Sequence, residues 1–154
     1  MSGMAENKTV IKLIEGIPSA EDQQILTDLY TSIFEDAQTV FFIDRLISKK
    51  QVCSLIAFHN DSPVGFKIGY RYNETTFYSW VGGVLPEYRQ RGIAKILAQK
   101  QEQWATSNHF LKLLTKSMNR FKPMMILNLK NGFNIISVYT NDSNQTKIVF
   151  EKEL

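Results

Sequence analysis

The chain has 154 residues, of which 44% are hydrophobic and 21% charged, and its formal net charge is +3. This length and composition are typical of one globular domain with a single core, so we expect one domain over residues 1–154. The small positive charge argues against a nucleic-acid partner, and the lack of a long apolar run argues against a membrane span.

The composition of the chain also bears on its compartment, its thiol and its capacity to bind a metal. Residues 1–7 are polar and lack the apolar core of a signal peptide, so we expect a flexible start, with Met1 or Met4 as the native first residue. Cys53 is the single cysteine, and its apolar surroundings predict a buried thiol and no intramolecular disulfide. Two histidines and one cysteine cannot build a metal cluster, so we expect no metal. Because neither a signal peptide nor a disulfide is predicted, we expect a cytoplasmic protein.

The N-terminal half alternates between apolar stripes at helical spacing and runs rich in β-branched and aromatic residues. Ser19, with Asp22 three residues later, resembles a capping box and predicts the start of the first helix. Three strand-like runs with short connections then predict an antiparallel meander. The predicted elements are a strand at 9–14, a helix from 19 to a break at 36–39, a helix from 41 to about 49, and strands at 51–59, 64–72 and 75–84.

Residues 89–94, called the basic turn below, follow the third strand of this meander. Arg89 and Arg91 supply charge and directional donors, and Gly92 lets a ligand approach the backbone because it has no Cβ. A strand–turn–helix leaves N–H groups unpaired at the positive end of a helix dipole, which suits an anion such as phosphate. The other interpretation is a solvated turn that only caps the helix.

The C-terminal half is predicted as helix, strand, helix and hairpin. Because a helical crossover connects them, the strand after the basic turn should run parallel to the strand before it. Pro123 suits the first turn of the last helix and Gly132 suits its end. The predicted elements are a helix at 94–107, a strand at 109–115, a helix at 122–131, and strands at 133–140 and 146–152.

Two patterns in this half carry a family resemblance. Residues 84–94 read Val-x-Pro-x-Tyr-Arg-x-x-Gly-x-Ala, which resembles the acyl-coenzyme-A-binding signature of the GNAT superfamily of N-acetyltransferases. Asn119, followed by a helix and then Gly132-Phe133, resembles the second signature of that superfamily. The resemblance implies a mixed α/β fold whose central sheet has about seven mostly antiparallel strands, with about four flanking helices. It also implies a splay between the fourth and fifth strands.

The resemblance implies an N-acetyltransferase that passes the acetyl group of acetyl-coenzyme A to a primary amine of a small molecule or peptide, by direct attack in a ternary complex without a metal. The backbone N–H of Val84 would stabilise the oxyanion. In this family a bulge in the fourth strand admits the thioester arm, and the pair Gly82-Gly83 fits such a bulge or a close backbone approach, a plain strand end being the alternative. The implied cofactor-binding residues are Gly82, Val84, Arg89, Gln90, Arg91, Gly92, Ile93, Ala94, Asn119 and Asn128.

The chain departs from the family pattern at the group that protonates the leaving thiolate. Many GNAT enzymes have a tyrosine there, whereas this chain has Asn128, which can hydrogen-bond to the thiolate but cannot donate a proton to it. Either the thiolate leaves unassisted or Tyr139 or Tyr88 substitutes for the missing tyrosine. The departure also leaves open a second hypothesis, a non-catalytic GNAT-fold module that binds acyl-coenzyme A or a protein partner.

The acceptor side is the least determined by sequence. Four aromatic residues in the first two helices could line a bulky acceptor site, although packing in the core is the favoured interpretation. Glu35 and Asp36 could receive a cationic amine or could simply end a helix. Glu74, Glu35 and His109 are the candidates for a general base, none of them preferred, and a homodimer is possible. The aromatic residues are Tyr30, Phe34, Phe41 and Phe42.

Overall fold

The computed structural model describes residues 8–154, so the predictions made for residues 1–7 and for Met4 fall outside the described part. Within residues 8–154 the chain forms seven strands and four α-helices. None of these helices is long and apolar enough to cross a membrane. In chain order the elements are β1 Thr9–Glu15, α1 Ala20–Ile33, α2 Thr39–Ser48, β2 Cys53–His59, β3 Ser62–Arg71, β4 Thr76–Val84, α3 Ile93–Ser107, β5 Lys112–Ser117, α4 Lys122–Lys130, β6 Asn134–Thr140 and β7 Thr146–Glu153.

The order and type of these elements confirm the sequence prediction, although several boundaries differ by a few residues: α2 begins at Thr39, inside the predicted break, and β3 begins at Ser62 rather than at 64. Two further differences have a local reason. The side chain of Ser19 caps α1 by accepting a hydrogen bond from the Asp22 N–H at 3.2 Å, as the capping pattern predicted. The fifth strand begins at Lys112 rather than at 109 because His109 adopts a left-handed φ of 67° and closes the end of α3. The second strand begins at Cys53 rather than at 51 because Gln51 has a φ of 51°.

The sheet has the strand order β1-β2-β3-β4-β5-β7-β6. Every neighbouring pair is antiparallel except β4 and β5, which are parallel and joined through α3 as predicted. Strand β6 therefore lies at one edge and exposes the apolar residues Ile135, Ile136 and Val138. The possible homodimer stays a prediction.

Strands β4 and β5 separate after a short contact. Their pairing ends at Tyr78 and Leu114, after which the hydroxyl of Thr115 donates to the carbonyl oxygen of Ser79 at 2.9 Å. Beyond that point β4 continues only against β3, and β5 only against β7. The result is a wedge-shaped opening between the two strands, called the gap below, and it confirms the predicted splay.

The core packs on both faces of the sheet. One face, called the α1–α2 face, includes Leu26, Phe42 and Phe66. The opposite face packs against α3 and includes Cys53 and Phe77. Completely burying side chains of this size stabilises the fold by roughly 1.5–3 kcal/mol each, so the two layers hold the strands around the gap in place.

The aromatic residues of α1 and α2 mostly belong to this core, as the packing interpretation predicted. Tyr30 stacks on Phe42 with ring centroids 4.3 Å apart, and Phe42 is fully buried. Phe34 is partly buried against the same layer. Phe41 is different, since it is 52% exposed and lies under the guanidinium of Arg45.

Candidate active site

A β-bulge lies in β4 next to the gap. Ile68 on β3 pairs with Val81, whereas the next residue of β3, Gly69, pairs with Ser79, so Trp80 is the extra residue. The bulge is therefore at Trp80 and not at Gly82-Gly83, which pair regularly with β3. The shift arises from the pairing between two strands, which the local sequence of β4 does not reveal.

Gly82 fits the second interpretation of the Gly-Gly pair, a close backbone approach, whereas the nearest neighbour of Gly83 is a side chain. A Cβ on Gly82 would lie 2.9 Å from the carbonyl oxygen of Phe66, and one on Gly83 would lie 2.9 Å from Cγ2 of Ile33. Both distances are too short for a side chain. A side chain on Gly82 would push β4 away from the backbone of β3, whereas one on Gly83 would require the Ile33 side chain at the end of α1 to shift.

The backbone of β4 turns its polar groups toward the gap at Gly82 and Val84. Leu85 donates its N–H to Val64 on β3 at 2.8 Å, and polar groups of successive strand residues point to opposite sides. The N–H and carbonyl groups of Val84 and Gly82 therefore point away from β3. The carbonyl oxygen of Val84 accepts a hydrogen bond from Nε of Arg89 at 3.0 Å.

The basic turn exposes a series of backbone donors. After a 3₁₀ turn at Pro86–Tyr88, Gln90 and Gly92 both adopt positive φ values, 63° and 80°. The first backbone bond of α3 is from Ile96 to Gly92 at 3.1 Å. None of the N–H groups of residues 90–95 donates to an acceptor within the described chain. Consecutive free N–H groups at a helix N-terminus form a concave site for an anion.

Side chains of the basic turn leave this donor site open. A Cβ on Gly92 would have nothing within 4 Å, and Ala94 is exposed while Ile93 is buried and anchors the helix. The guanidinium of Arg91 lies 4.9 Å from the ring centre of Tyr88. Ion pairs within residues 8–154 involve neither Arg89 nor Arg91, so both keep their charge available to an anionic ligand.

The second predicted signature lies across the gap. Asn119 is exposed and opens a 3₁₀ turn, Asn119–Phe121, just after β5. Because β4 and β5 are parallel, the C-terminal ends of both strands lie at the same edge of the sheet. Val84 ends β4 and the Asn119–Phe121 turn follows β5, so the two lie on opposite sides of the gap. Asn128 is 9% exposed within α4, and its side-chain amide forms no hydrogen bond to the described residues. Both assignments as cofactor contacts stay predictions.

An ion pair spans the two sides of this region. Arg120, in the turn after β5, donates from Nη2 to Oδ2 of Asp36, in the connection between α1 and α2, at 3.0 Å. The hydrogen bond from Arg120 lowers the pKa of the Asp36 carboxyl. Asp36, one of the two candidates to receive an amine, is thus bound to Arg120, whereas Glu35 is exposed and forms no ion pair with residues 8–154.

The remaining candidates for proton transfer occupy different places. Glu74 and His109 lie beyond the end of β4 that is opposite Val84, at the turn into β4 and at the end of α3. Tyr88 packs beside the basic turn, with its ring centre 5.4 Å from that of His59. Tyr139 on β6 is 38% exposed, and its ring centre lies 5.4 Å from Nζ of Lys116 on β5.

The environment of Cys53 disfavours a role as nucleophile. It is 1% exposed, and burial, followed by the nearby charge of Glu15, raises the pKa of its thiol to about 12. A thiol rather than a thiolate is therefore present at neutral pH, and the thiol is the poorer nucleophile. The prediction of a buried core cysteine is confirmed.

The structure also reveals Lys67, which the sequence analysis did not single out. Lys67 pairs with Gly82 across the β3–β4 ladder, and a Cβ on Gly82 would lie 3.2 Å from its Cγ. Its side chain keeps partial exposure, yet the surrounding protein lowers its pKa to about 8 through desolvation. The sequence feature that could have identified Lys67 is its place between Gly65 and Gly69, at an inward position of an otherwise apolar strand.

Comparisons with known proteins agree with this geometry. The model of the acetyltransferase (GNAT) family matches residues 22–122 of the chain, whereas no curated protein sequence matches it. The structure is similar to that of the ribosomal-protein-S18-alanine N-acetyltransferase from Escherichia coli, with a TM-score of 0.79 and 12% identity over 95% of this chain and 94% of that chain.

Two further solved structures show the same fold. NAA60 from Arabidopsis thaliana in complex with acetyl-CoA has a TM-score of 0.74 and 18% identity, over 94% of this chain and 99% of that chain. The IAA acetyltransferase from Bacillus cereus has a TM-score of 0.75 and 17% identity, over 96% of this chain and 100% of that chain. At such identities the likeness is one of fold.

Proposed function

Because the chain belongs to the GNAT family of acetyltransferases, we propose that it transfers the acetyl group of acetyl-CoA to the nitrogen of a primary amine. One observation supports this proposal above the others. The free N–H groups of residues 90–95 lie directly beyond the strand whose backbone faces the gap, so a phosphate site and a slot for an extended chain are contiguous.

The cofactor would bind along this contiguous surface. Its pyrophosphate suits the free N–H groups of the basic turn, supported by Arg89 and Arg91. Its pantetheine arm, an extended chain with amide groups, suits the outward backbone of Gly82 and Val84, which offers hydrogen bonds like the edge of a sheet. Asn119 and Asn128 would contact the arm from the side of β5 and α4.

The proposed reaction is a direct transfer. The amine nitrogen, in its neutral form, attacks the thioester carbonyl carbon, and the new C–N bond forms as the carbonyl electrons move to oxygen. The N–H of Val84 stabilises this oxyanion. Collapse of the intermediate breaks the C–S bond and releases the thiolate, while the nitrogen loses its extra proton to water. Holding both reactants together supplies much of the acceleration.

A proton donor for the thiolate is the second part of the proposal. The amide of Asn128 cannot donate a proton at neutral pH, although it can hydrogen-bond to the sulfur. Tyr139 is favoured over Tyr88, because it is partly exposed and lies beside Lys116, the residue of β5 that borders the gap. Tyr88 packs instead at the basic turn. A thiol pKa of about 8.5 also makes departure without a donor tolerable.

The experiment that tests this function is a thiol-release assay with acetyl-CoA and a panel of primary amines, followed by mass spectrometry of the products. We expect thiol release that depends on the amine and an N-acetylated product in equal amount. The absence of a tyrosine at position 128 favours one other function, a binding module without turnover. Tight binding of acetyl-CoA with no amine-dependent thiol release across the panel would support that module and contradict the enzyme.

A further inference from the structure

Five residues from four elements meet at the mouth of the gap on the α1–α2 face of the sheet, and we call them the cation–aromatic cluster. Two of them are cationic, and three are aromatic. None of them belongs to the cofactor-binding residues discussed above. The cluster consists of Arg45 on α2, Tyr70 on β3, Tyr78 and Trp80 on β4, and Lys116 on β5.

Arg45 is held by two of the aromatic residues. Its Nη1 donates to the hydroxyl oxygen of Tyr70 at 3.1 Å. Its guanidinium carbon lies 5.6 Å from the ring centre of Trp80 and 4.6 Å from that of Phe41. The planar cation is thus fixed over β4 rather than extended freely into water.

Lys116 reaches the same group from the other strand. Its Nζ lies 5.6 Å from the ring centre of Tyr78, and the rings of Tyr70 and Tyr78 contact each other edge to face with centres 5.3 Å apart. A continuous line of contacts therefore runs from Arg45 through Tyr70 and Tyr78 to Lys116. It connects the cation on α2 to the cation on β5.

The cluster borders the gap. Pairing of β4 with β5 ends at Tyr78 and Leu114, so Trp80 and Lys116 are the next residues of each strand on that face. Trp80 is also the bulged residue of β4. An amine that approaches a thioester held along β4 from the α1–α2 face would pass Arg45 and Lys116.

Carboxylates of residues 8–154 form no ion pair with the two cations of the cluster. The ion pairs of residues 8–154 are Lys12–Asp22, Lys112–Glu151, Arg120–Asp36 and Lys152–Glu102. Arg45 and Lys116 are both partly buried, and neither is in one of these pairs. Burial also raises the pKa of both Tyr70 and Tyr78, so their phenols stay neutral and supply no anion.

Two partly buried cations that pair with no carboxylate of residues 8–154, and that are connected through Tyr70 and Tyr78 at the edge of the reaction slot, suit a ligand that brings a negative charge. We propose that the acceptor is a primary amine that carries a carboxylate close to its nitrogen, and that Arg45 and Lys116 bind this carboxylate. This inference rests on the proposed transferase function and adds to it the chemical class of the acceptor. A free amino acid and a peptide with an acidic first residue share the chemistry.

The test compares matched acceptors that differ in one carboxylate, and kcat/KM is expressed per concentration of neutral amine because a nearby carboxylate also raises the pKa of the amine. The probes are L-amino acids against their carboxamides and, to separate the two sources, short peptides beginning with Asp against peptides beginning with Asn. For the wild type we expect kcat/KM at least about tenfold higher for the carboxylate member of one pair, the size typical of a hydrogen bond to a charged group. Arg45→Met and Lys116→Met should each remove most of that preference.

Controls separate this inference from the function on which it rests. Arg45→Lys keeps the charge and should keep part of the preference, and Lys112→Met removes a cation on the same strand that already pairs with Glu151. Affinity for acetyl-CoA should be unchanged in all four variants. Equal rates for carboxylates and carboxamides, in the wild type and in both methionine variants, would overturn the inference and leave the transferase intact.

A binding readout decides the inference even without turnover. The same amino acids and peptides are titrated by calorimetry into the wild type saturated with coenzyme A. Binding of a carboxylate-bearing member that is at least about tenfold weaker in Arg45→Met and Lys116→Met supports the anion site. Absence of binding by every carboxylate-bearing probe, together with absence of turnover, overturns it.

Discussion

Arg89 donates from Nε to the carbonyl oxygen of Val84 at 3.0 Å, and so a side chain of the basic turn holds the last residue of β4. The two parts of the proposed cofactor site, the anion-binding turn and the outward backbone of β4, are joined by this bond. Arg89 can therefore contribute to cofactor binding in two ways, through its positive charge and through its hydrogen bond to Val84, and these two contributions can be tested separately.

We predict that Arg89→Ala weakens acetyl-CoA binding by about tenfold or more, since it removes both contributions. Arg89→Gln should lose less, because its amide can still donate to Val84 while the charge is gone, and its remaining affinity should depend less on salt. Titration calorimetry at two salt concentrations measures the acetyl-CoA affinity of each variant and its dependence on salt. The control is Lys100→Ala, which removes an exposed cation farther along α3. An acetyl-CoA affinity of Arg89→Ala equal to that of the wild type would contradict the proposed role of Arg89 in cofactor binding.

Tyr139→Phe tests the proposed proton donor. The loss of a general acid typically lowers a rate by about a hundredfold or more, so kcat should fall while the Kd of acetyl-CoA stays the same. Tyr88→Phe removes the hydroxyl beside the basic turn and should leave kcat unchanged. Wild-type kcat in Tyr139→Phe would exclude Tyr139 and indicate that the thiolate leaves without protein assistance.

Cys53 should be unreactive in the folded protein. Burial holds its pKa at about 12, so a thiol reagent at pH 8 should label it only after unfolding in urea. Cys53→Ala should keep kcat and lose about 1 kcal/mol of unfolding free energy from the small cavity. Loss of acetyl transfer in Cys53→Ala, with acetyl-CoA binding intact, would instead point to an acetyl-cysteine intermediate.

We predict that the titration of Lys67 makes the stability of the fold rise with pH. Its pKa is about 8 in the folded protein against an ordinary 10.5, so the unfolded chain binds more protons between these two values. Stability therefore rises with pH through this group, by at most about 1.4 kcal/mol per pH unit. Below pH 8 the charged, desolvated ammonium destabilises the fold, and Lys67→Met should be more stable than the wild type.

The check is urea unfolding of the wild type and Lys67→Met from pH 7 to pH 10. The advantage of Lys67→Met should shrink steadily as the pH rises above 8, since the wild-type amine becomes neutral in the folded protein. Comparison with the variant cancels the titration of the buried tyrosines and of Cys53. A difference in stability that is constant over this range would show that Lys67 titrates normally.

The sequence predicted the elements well because their signals are local. Ser19 caps α1 through a bond to a residue three positions away, and the basic turn owes its shape to the positive φ of Gln90 and Gly92 within one short segment. The parallel pairing of β4 and β5 follows from the helix between them. Such features need no knowledge of distant contacts.

What the sequence did not predict depends on distant contacts. The bulge at Trp80 exists only in the register of β4 against β3. The start of β5 is an exception, because the left-handed φ of His109 that closes α3 is a local feature that the strand pattern did not reveal. Arg45 and Lys116 are 71 positions apart in the numbered sequence, and only the folded sheet brings them to one surface. The assigned cofactor contacts stay predictions for the same reason, since they depend on where a ligand lies.

The most direct test of the central claim, that the basic turn binds the phosphates of acetyl-CoA, is calorimetric titration with acetyl-CoA and with acetyl-pantetheine, which lacks the nucleotide and its phosphates. The proteins are the wild type and Gly92→Leu. Because Gly92 has a φ of 80° and open space around it, leucine should strain the turn by about 1–2 kcal/mol without clashing, and circular dichroism checks that the variant folds.

The account predicts micromolar binding of acetyl-CoA to the wild type. It predicts binding weaker by about a hundredfold or more for acetyl-pantetheine, and a large loss of acetyl-CoA affinity in folded Gly92→Leu. Equal affinity of the wild type for both compounds, or unchanged acetyl-CoA affinity in Gly92→Leu, would contradict it.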